Sequence, residues 1–387
     1  MCDLKIRKNS LLIMIILISY LKPYNVSLIP LLNMMYSLVK VIATLFLIAY
    51  VSRKKISIST SSRWCIAFLL WWMLALFRNH NLYSNVQTLL SILGIILLFN
   101  IMQKSVNGIE IIIKNLRVIA EIYIILELYT ILTDRPIIAS AKVSFDKYFL
   151  GSDNYSAFII IPLAGFIMAD EAINGRKKIY RTVFVLLCAF LCLAIPQSWA
   201  GLGAYTIFVL LLIFKKNQAI IKKFFTIKKT GIVALLFLLS VLVFHVENNL
   251  GAVLEIIGKV GLNSREIIWP LAVKLIFKNP VLGYGLLTEK QIEAYWLYGA
   301  SHAHNMFLDV LLDSGVVGGF LMFMFIKSAV GTKRRDRPSL ALTYLSYCLV
   351  AYILSSIFDF YITLIYFWVL IICFDQIRIR ENKRSDI

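Results

Sequence analysis

Apolar positions along the chain gather into blocks of about 15–20 residues, each bounded by a short polar or basic run. The blocks fall at 10–29, 35–51, 64–77, 86–102, 118–133, 156–170, 182–195, 200–214, 231–246, 304–326, 339–356 and 360–374. A run of that length lets a helix cross the hydrocarbon core of a bilayer with every backbone polar group bonded inside the segment. Alternating strand-length stretches separated by turns are missing from the pattern, so a β-barrel is not expected. The predicted fold class is all-α: a polytopic helical membrane protein with about twelve transmembrane helices. The first block is interrupted by Lys22-Pro23 and reads either as a kinked helix or as a helix followed by a surface segment. It carries no small-residue cleavage site, which makes it a retained anchor rather than a signal peptide.

Two stretches between blocks are long enough to do more than connect. Residues 134–155, "DRPIIASAKVSFDKYFLGSDNY", mix charges and end in a Gly-Ser-Asp-Asn cluster. Residues 247–303 form the largest region outside the blocks, and loops of that length carry function or their own secondary structure. Within it, "NSREIIWPLAVKLIFKNP" (263–280) spaces Ile267, Ile268, Leu271 and Leu275 as one helical face, with Arg265, Glu266, Lys274 and Lys278 as its charged complement. Asn263 followed by Glu266 gives a start signal, Pro270 a kink, and Asn279-Pro280 a stop. With Trp269 on board, this predicts an amphipathic helix lying on the membrane surface. The glycines of "VLGYGLL", Gly283 and Gly285, favour a tight turn or a close backbone approach. The expected organisation is an N-terminal transmembrane bundle over 1–246 and a loop with a surface helix over 247–303. C-terminal spans over 304–374 and a basic tail over 375–387 complete it.

Composition sharpens this picture. The 387-residue chain is 60% hydrophobic and 16% charged, against about 45–50% and about 25% in a soluble protein. With the N-terminus placed in the cytoplasm, the inside segments hold 29 Lys/Arg and the outside segments 9. That bias puts both termini on the cytoplasmic side of a membrane and the long loops outside. The net charge of +19 therefore belongs to the inner leaflet, where it meets anionic membrane lipid. No soluble basic domain exists to bind nucleic acid. Cys65, Cys188, Cys192, Cys348 and Cys373 fall in blocks and Cys2 in the cytoplasm, so no disulfide framework is expected. Cys188 and Cys192 share a helix face as small packing residues. His80 and His245 read as surface and span-end residues, and Glu121 and Glu127 as interfacial or paired structural charges.

The stretch "GASHAHNMFLDVLLDSGVVGGF" (299–320) brings two of the four histidines, His302 and His304, to the mouth of an apolar block. Asn305 follows directly; Asp309 and Asp313 lie one turn apart on the helix; Gly315, Gly318 and Gly319 permit close packing. Here the chain resembles a known family. "HNMFLDVLLDSGVVG" (304–318) is similar to the His-Asn-x-x-Leu and acidic-x-Gly-x-x-Gly signature of the O-antigen ligase and polymerase superfamily, through His304, Asn305, Leu308, Asp313, Gly315 and Gly318. "SREIIW" (264–269) and "NPVLGYG" (279–285) resemble the Ser-Arg-Trp and Pro-x-x-Gly-x-Gly run of that family's outer loop. "GSDNYSA" (151–157) is similar to its Asn-containing stretch before the middle span. One departure stands out: the family's Ser-Arg pair near residue 200 is Ser198-Trp199 here. Arg135, Lys142, Lys147 and Lys259 are outside candidates to replace the missing arginine, none of them in a matching motif.

The resemblance implies transfer of a glycan from an undecaprenyl-pyrophosphate-linked oligosaccharide to a sugar hydroxyl at the outer face of the membrane. A lipid pyrophosphate leaving group needs a fixed cation, a task suited to the bidentate guanidinium of Arg265. The acceptor hydroxyl needs a base, and His304 has the unperturbed pKa for it, about 6.5. Asn305 and Asp309 are candidates to orient the ring. Asp313, His302, Gly283 and Gly285 complete the expected substrate-binding set. No His/Asp/Glu grouping with ligand spacing is evident, so neither a metal nor a cofactor is expected. Polymerisation of repeat units is the first reading, with a chain-length regulator and a flippase as accompanying partners. Ligation of finished glycan to a final acceptor such as lipid A core, and a lipid-linked oligosaccharide flippase, remain as alternatives.

Overall fold

The computed structural model describes residues 10–135, 148–175, 179–214, 225–244, 265–295, 302–331 and 338–385. All regular structure among them is helical. The first half comprises α1 (Ser10–Tyr20), α2 (Tyr24–Ser27), α3 (Pro30–Lys54), α4 (Thr60–Arg78), α5 (Leu82–Met102), α6 (Gly108–Thr133) and α7 (Asp153–Asn174). The second comprises α8 (Ile179–Ala194), α9 (Trp199–Ile213), α10 (Ile227–Phe244), α11 (Arg265–Lys278), α12 (Glu289–Tyr295), α13 (Met306–Val330), α14 (Leu340–Ser355) and α15 (Ile365–Ser385). Five described helices are long and apolar enough to cross a bilayer on those grounds alone, within α3, α4, α5, α7 and α13. α1, α8, α9 and α14 are apolar but shorter. α6 has the length, but Arg117, Glu121 and Glu127 interrupt its apolar face.

Lys22-Pro23 divides the first block into two helices, Pro23 capping α2 in an extended conformation. α13 packs on α4, α14 on α7 and α9, and α6 on α7 and α8, around one large apolar core. α3 turns Leu31, Met34, Leu38, Ile42 and Leu45 outward at helical spacing, an apolar stripe suited to lipid. Glu121 is a paired structural charge: with Asp170 and Glu171 it surrounds Arg117, at 3.0, 3.0 and 2.8 Å, where α6, α7 and α8 meet. The arginine offsets acids that would otherwise be buried uncompensated. Glu127 is buried too and accepts from the Leu150 N–H at 2.6 Å. All five described cysteines are buried free thiols, and the Cys192 thiol lies 3.6 Å from the Ile124 carbonyl.

α11 departs from the predicted surface helix. Ile268, Trp269, Ala272 and Leu275 are buried in a second cluster with Leu238, Leu308 and Leu312, while Ile267 points outward. Trp269 is thus a core residue, because α13 and α10 cover the face that the pattern assigned to lipid. Asn263 and Ser264 lie outside the described residues.

α13 is not a continuous helix. Gly315 adopts φ 64°, ψ −172°, so the helix breaks there, and the backbone of Pro280 and Val281 approaches it closely. The carbonyls freed by the break are taken up from outside: Leu312 by Tyr284 N (2.8 Å), Asp313 by Gly285 N (2.7 Å) and Ser314 by the Trp71 indole (2.9 Å). Val316 N in turn donates to the Pro280 carbonyl at 2.7 Å. A broken helix persists in an apolar bundle only when its backbone groups are re-satisfied in this way. A Cβ on Gly315 would meet the Val281 carbonyl oxygen at 2.2 Å. Gly315→Ala is therefore expected to destabilise the protein by roughly 1–3 kcal/mol from backbone strain alone. Thermal unfolding in detergent measures this; a midpoint equal to wild type would show that the break is dispensable.

Candidate active site

The segment His302–Asn305 folds back over the first turn of α13, and the sequence explains how. Asn305 is the N-cap: its Oδ1 accepts from Phe307 N and Leu308 N at 3.0 and 3.3 Å, satisfying donors that a helix start leaves orphaned. Asp309, in the first turn, reaches back to accept from Ala303 N (2.6 Å) and Asn305 N (3.2 Å). The same carboxylate lies 3.4 Å from His302 Nδ1. His304 takes a left-handed φ of 54°, a conformation that costs a residue with a Cβ about 1–2 kcal/mol. It is held there by its own N–H, which donates to His302 Nδ1 at 3.2 Å, and by its ring. The two imidazoles lie with centroids 4.0 Å apart.

The partner of the His304 ring comes from elsewhere. Asp359, between α14 and α15, places Oδ1 at 3.1 Å from His304 Nδ1 and 3.5 Å from His302 Nε2. Its other oxygen accepts from the Tyr361 hydroxyl at 3.1 Å. Residues 356–364 stay irregular, which delays α15 to Ile365 instead of the expected 360. Three successive carbonyls of this segment are committed to the site: Ser356 to Met306 N (3.0 Å), Ile357 to Asn305 Nδ2 (2.9 Å) and Phe358 to Arg265 Nε (2.7 Å). The last of these brings the first residue of α11 beside Asp359. His304 and Arg265 thus converge on one loop. The Gly151–Ala157 stretch joins as well, through Tyr155, whose ring contacts Tyr361 at 5.0 Å.

The electrostatics follow from this packing. Burial disfavours the His302 cation, but the nearby carboxylates of Asp309 and Asp359 outweigh it and raise its pKa above the usual 6.5; Arg265 opposes them. Burial likewise disfavours ionised Asp359, yet the bond from His304 and the charges of His302, His304 and Arg265 hold its pKa below the usual value. His302 has two arrangements. As a cation it donates Nδ1–H to Asp309; as a neutral ring protonated on Nε2 it faces Asp359 and accepts the His304 N–H on Nδ1. A raised folded-state pKa adds stability that is full below about 6.5 and disappears as pH climbs through the folded value. Asp359 adds stability that is full above about 3.9 and disappears as pH falls through its lowered value. The melting temperature of wild type should therefore decline more steeply on the alkaline side than that of His302→Gln; parallel declines would remove this coupling.

Other expected site residues fall into supporting positions. Gly283 and Gly285 are buried at φ 72°, where a Cβ would meet the backbone of α13 or of α4, so they serve the α13 break and line no open space. Asp313 is buried, and among the described residues no hydrogen bond or ion pair joins its side chain to either imidazole. Of the stand-in cations, Arg135 is exposed, and Lys142, Lys147 and Lys259 lie outside the described residues, as does His245. His80 is on the surface. Trp199 is 44% exposed beside buried Ser198. The expectation of no metal-ligand grouping is corrected: His302, His304 and Asp359 offer ligand atoms within 4.8 Å of one another and could hold a cation. Asp359 escaped notice because it lies 55 residues from His304. The available signal was a lone carboxylate between two apolar blocks.

Against known proteins, residues 182–323 match the family model described as O-antigen ligase. This stretch contains Arg265, both imidazoles and the α13 break. That stretch is similar to an O-antigen ligase domain. The chain is also similar, at 23% identity over 230 residues, to a ComP-specific O-oligosaccharyltransferase of Acinetobacter baylyi. That alignment takes 56% of this chain and 41% of the relative, so less than half of the relative is matched. The matched stretch ends before Asp359, which packs against it from the segment between α14 and α15.

Proposed function

We propose that the protein is an integral-membrane glycosyltransferase using an undecaprenyl-pyrophosphate-linked oligosaccharide as donor at the outer face of the cytoplasmic membrane. The observation that carries this reading is the convergence of His304, Asp359 and Arg265. Asp359 engages Nδ1 of His304, so the ring's proton sits on that nitrogen and Nε2 is left as the base; among the described residues Nε2 has no hydrogen-bond partner. The acceptor hydroxyl oxygen attacks the anomeric carbon, its proton passing to Nε2. The bond from that carbon to the pyrophosphate oxygen breaks, and the electron pair leaves with the pyrophosphate. Arg265, whose Nε donates to the Phe358 carbonyl, brings its fixed positive charge to the growing negative charge. Polymerisation of repeat units is the primary reading. Transfer of glycan to a separate acceptor is the second, favoured by the relative's oligosaccharyltransferase activity.

Purified protein in detergent, given lipid-pyrophosphate oligosaccharide and a chelator, tests the proposal. Lengthened lipid-linked chains support polymerisation, and glycan moved onto an added acceptor without lengthening supports ligation. No transfer, with lipid-linked substrate accumulating on the cytoplasmic face of deletion cells, would replace both readings with a flippase. Arg265→Ala should lower turnover by roughly 10²–10³-fold, the range for loss of one transition-state donor. Arg265→Lys should restore only part of it, because an ammonium lacks the planar fork; full activity in either variant removes Arg265 from the mechanism.

A further inference from the structure

A second polar site lies at the far end of the bundle. α15 carries the chain from the Asp359 loop to Asp375, roughly 15 Å along its axis, and α4 runs roughly 27 Å from Thr60 to Arg78, beside Asn279. At the α4 start, the end of α5 and the last turns of α15 enclose a cavity of about 300 Å³. Arg63, Lys104, Arg378 and Lys383 line it, against the single acid Asp375. That acid is already committed: Arg378 Nη2 lies at 2.8 Å and Ser59 Oγ at 3.0 Å, with the Ser61 hydroxyl bonded as well. Arg63 and Lys104 bond only to neutral oxygens, the Ile58 carbonyl at 3.1 Å and Ser57 Oγ at 2.9 Å. Among the described residues neither has a carboxylate within ion-pair distance. Two further donors in the lining, Arg378 Nε and Gln103 Nε2, are buried with no acceptor among the described residues. The 19-residue α4 also directs the positive end of its dipole here, with Thr60 and Ser61 in the lining.

Buried orphan donors, uncompensated cations and a helix start around one cavity share a single chemical complement, an oxyanion with several acceptor oxygens. We propose that this cavity is a phosphate-binding site, taking the headgroup phosphate of an anionic inner-leaflet lipid or a soluble phosphate. The site is independent of the transferase reading, since it shares no residue with the His304 cluster. It lies among the basic segments expected to face the inner leaflet, which favours the lipid as the source.

Native mass spectrometry of the full chain in neutral detergent tests this, titrating phosphatidylglycerol with phosphatidylcholine as the control. Wild type should retain phosphatidylglycerol in preference. Arg63→Gln combined with Lys104→Gln should weaken that retention by roughly tenfold or more, from two lost surface charges. Lys274→Gln combined with Lys290→Gln, at the other end of the molecule, should leave it unchanged. Ser57→Trp, at an exposed position on the rim, should also weaken retention while keeping every charge, which covers the case of a double variant that folds poorly. Preferential retention of phosphatidylglycerol, lost in the variants, identifies the lipid; an inorganic-phosphate adduct lost in the variants, without any lipid preference, identifies the soluble anion. Equal retention of both probes in wild type, the Arg63/Lys104 variant and Ser57→Trp would overturn the site.

Discussion

Replacing His304 with alanine is expected to lower glycan transfer by about 10²–10⁴-fold, the usual contribution of a positioned general base. The protein should remain inserted and abundant, because the ring is partly exposed and, among the described residues, its hydrogen bond runs to Asp359 rather than into the apolar core. Alanine must also adopt the left-handed φ of 54°, so a companion variant is needed to separate strain from chemistry. His304→Gly adopts that conformation without steric cost. It should be as inactive as the alanine variant but no less stable than wild type. The measurement is single-turnover transfer by purified protein, alongside electrophoresis of surface polysaccharide from complemented cells. Substantial activity in the glycine variant would show that the imidazole takes no proton.

The second large effect is expected at Asp359. Asp359→Asn keeps the shape of the side chain but removes the charge that fixes the proton on His304 Nδ1. An amide can donate to Nδ1 and hold the wrong tautomer, a change that costs about 10⁴-fold in a serine-protease triad. Asp359 also accepts from Tyr361 and faces His302, so its loss loosens both rings. Asp359 acts through His304, which makes it a positioning residue. Its signature is a drop in kcat with little change in KM for the acceptor, and a displaced pH–rate profile. A variant that loses only abundance, with normal turnover per folded molecule, would reduce Asp359 to a structural tie.

Much of this arrangement was legible in the chain, for identifiable reasons. Blocks of apolar residues report helices directly, because the spacing constraint acts within each segment. Asn305 and Asp309 announce the start of α13 through local bonds, and His302 and His304 are carried with them. Relations between segments were not legible. The face of α11 reads as amphipathic either against lipid or against protein, and only the presence of α10 and α13 decides that Trp269 is core. Gly315 is one glycine among three in "SGVVGG" until the 280–285 strip is laid beside it. Asp359 carries no local motif at all; its meaning comes from the three carbonyls before it, each claimed by a residue of the other site segments.

The stitching of α13 to residues 280–285 constrains how the chain can change its length. Pro280, Tyr284 and Gly285 must each present a backbone group at a fixed place, in register with Val316, Leu312 and Asp313. One residue added or removed within that strip would leave a carbonyl stranded in an apolar setting, at several kcal/mol apiece. The register continues to Leu286, whose carbonyl accepts from Asn79 Nδ2 and Asn81 Nδ2, and to Gln291, which pairs with the Asn79 amide. Insertions and deletions between related chains should therefore avoid the run from Pro280 to Gln291.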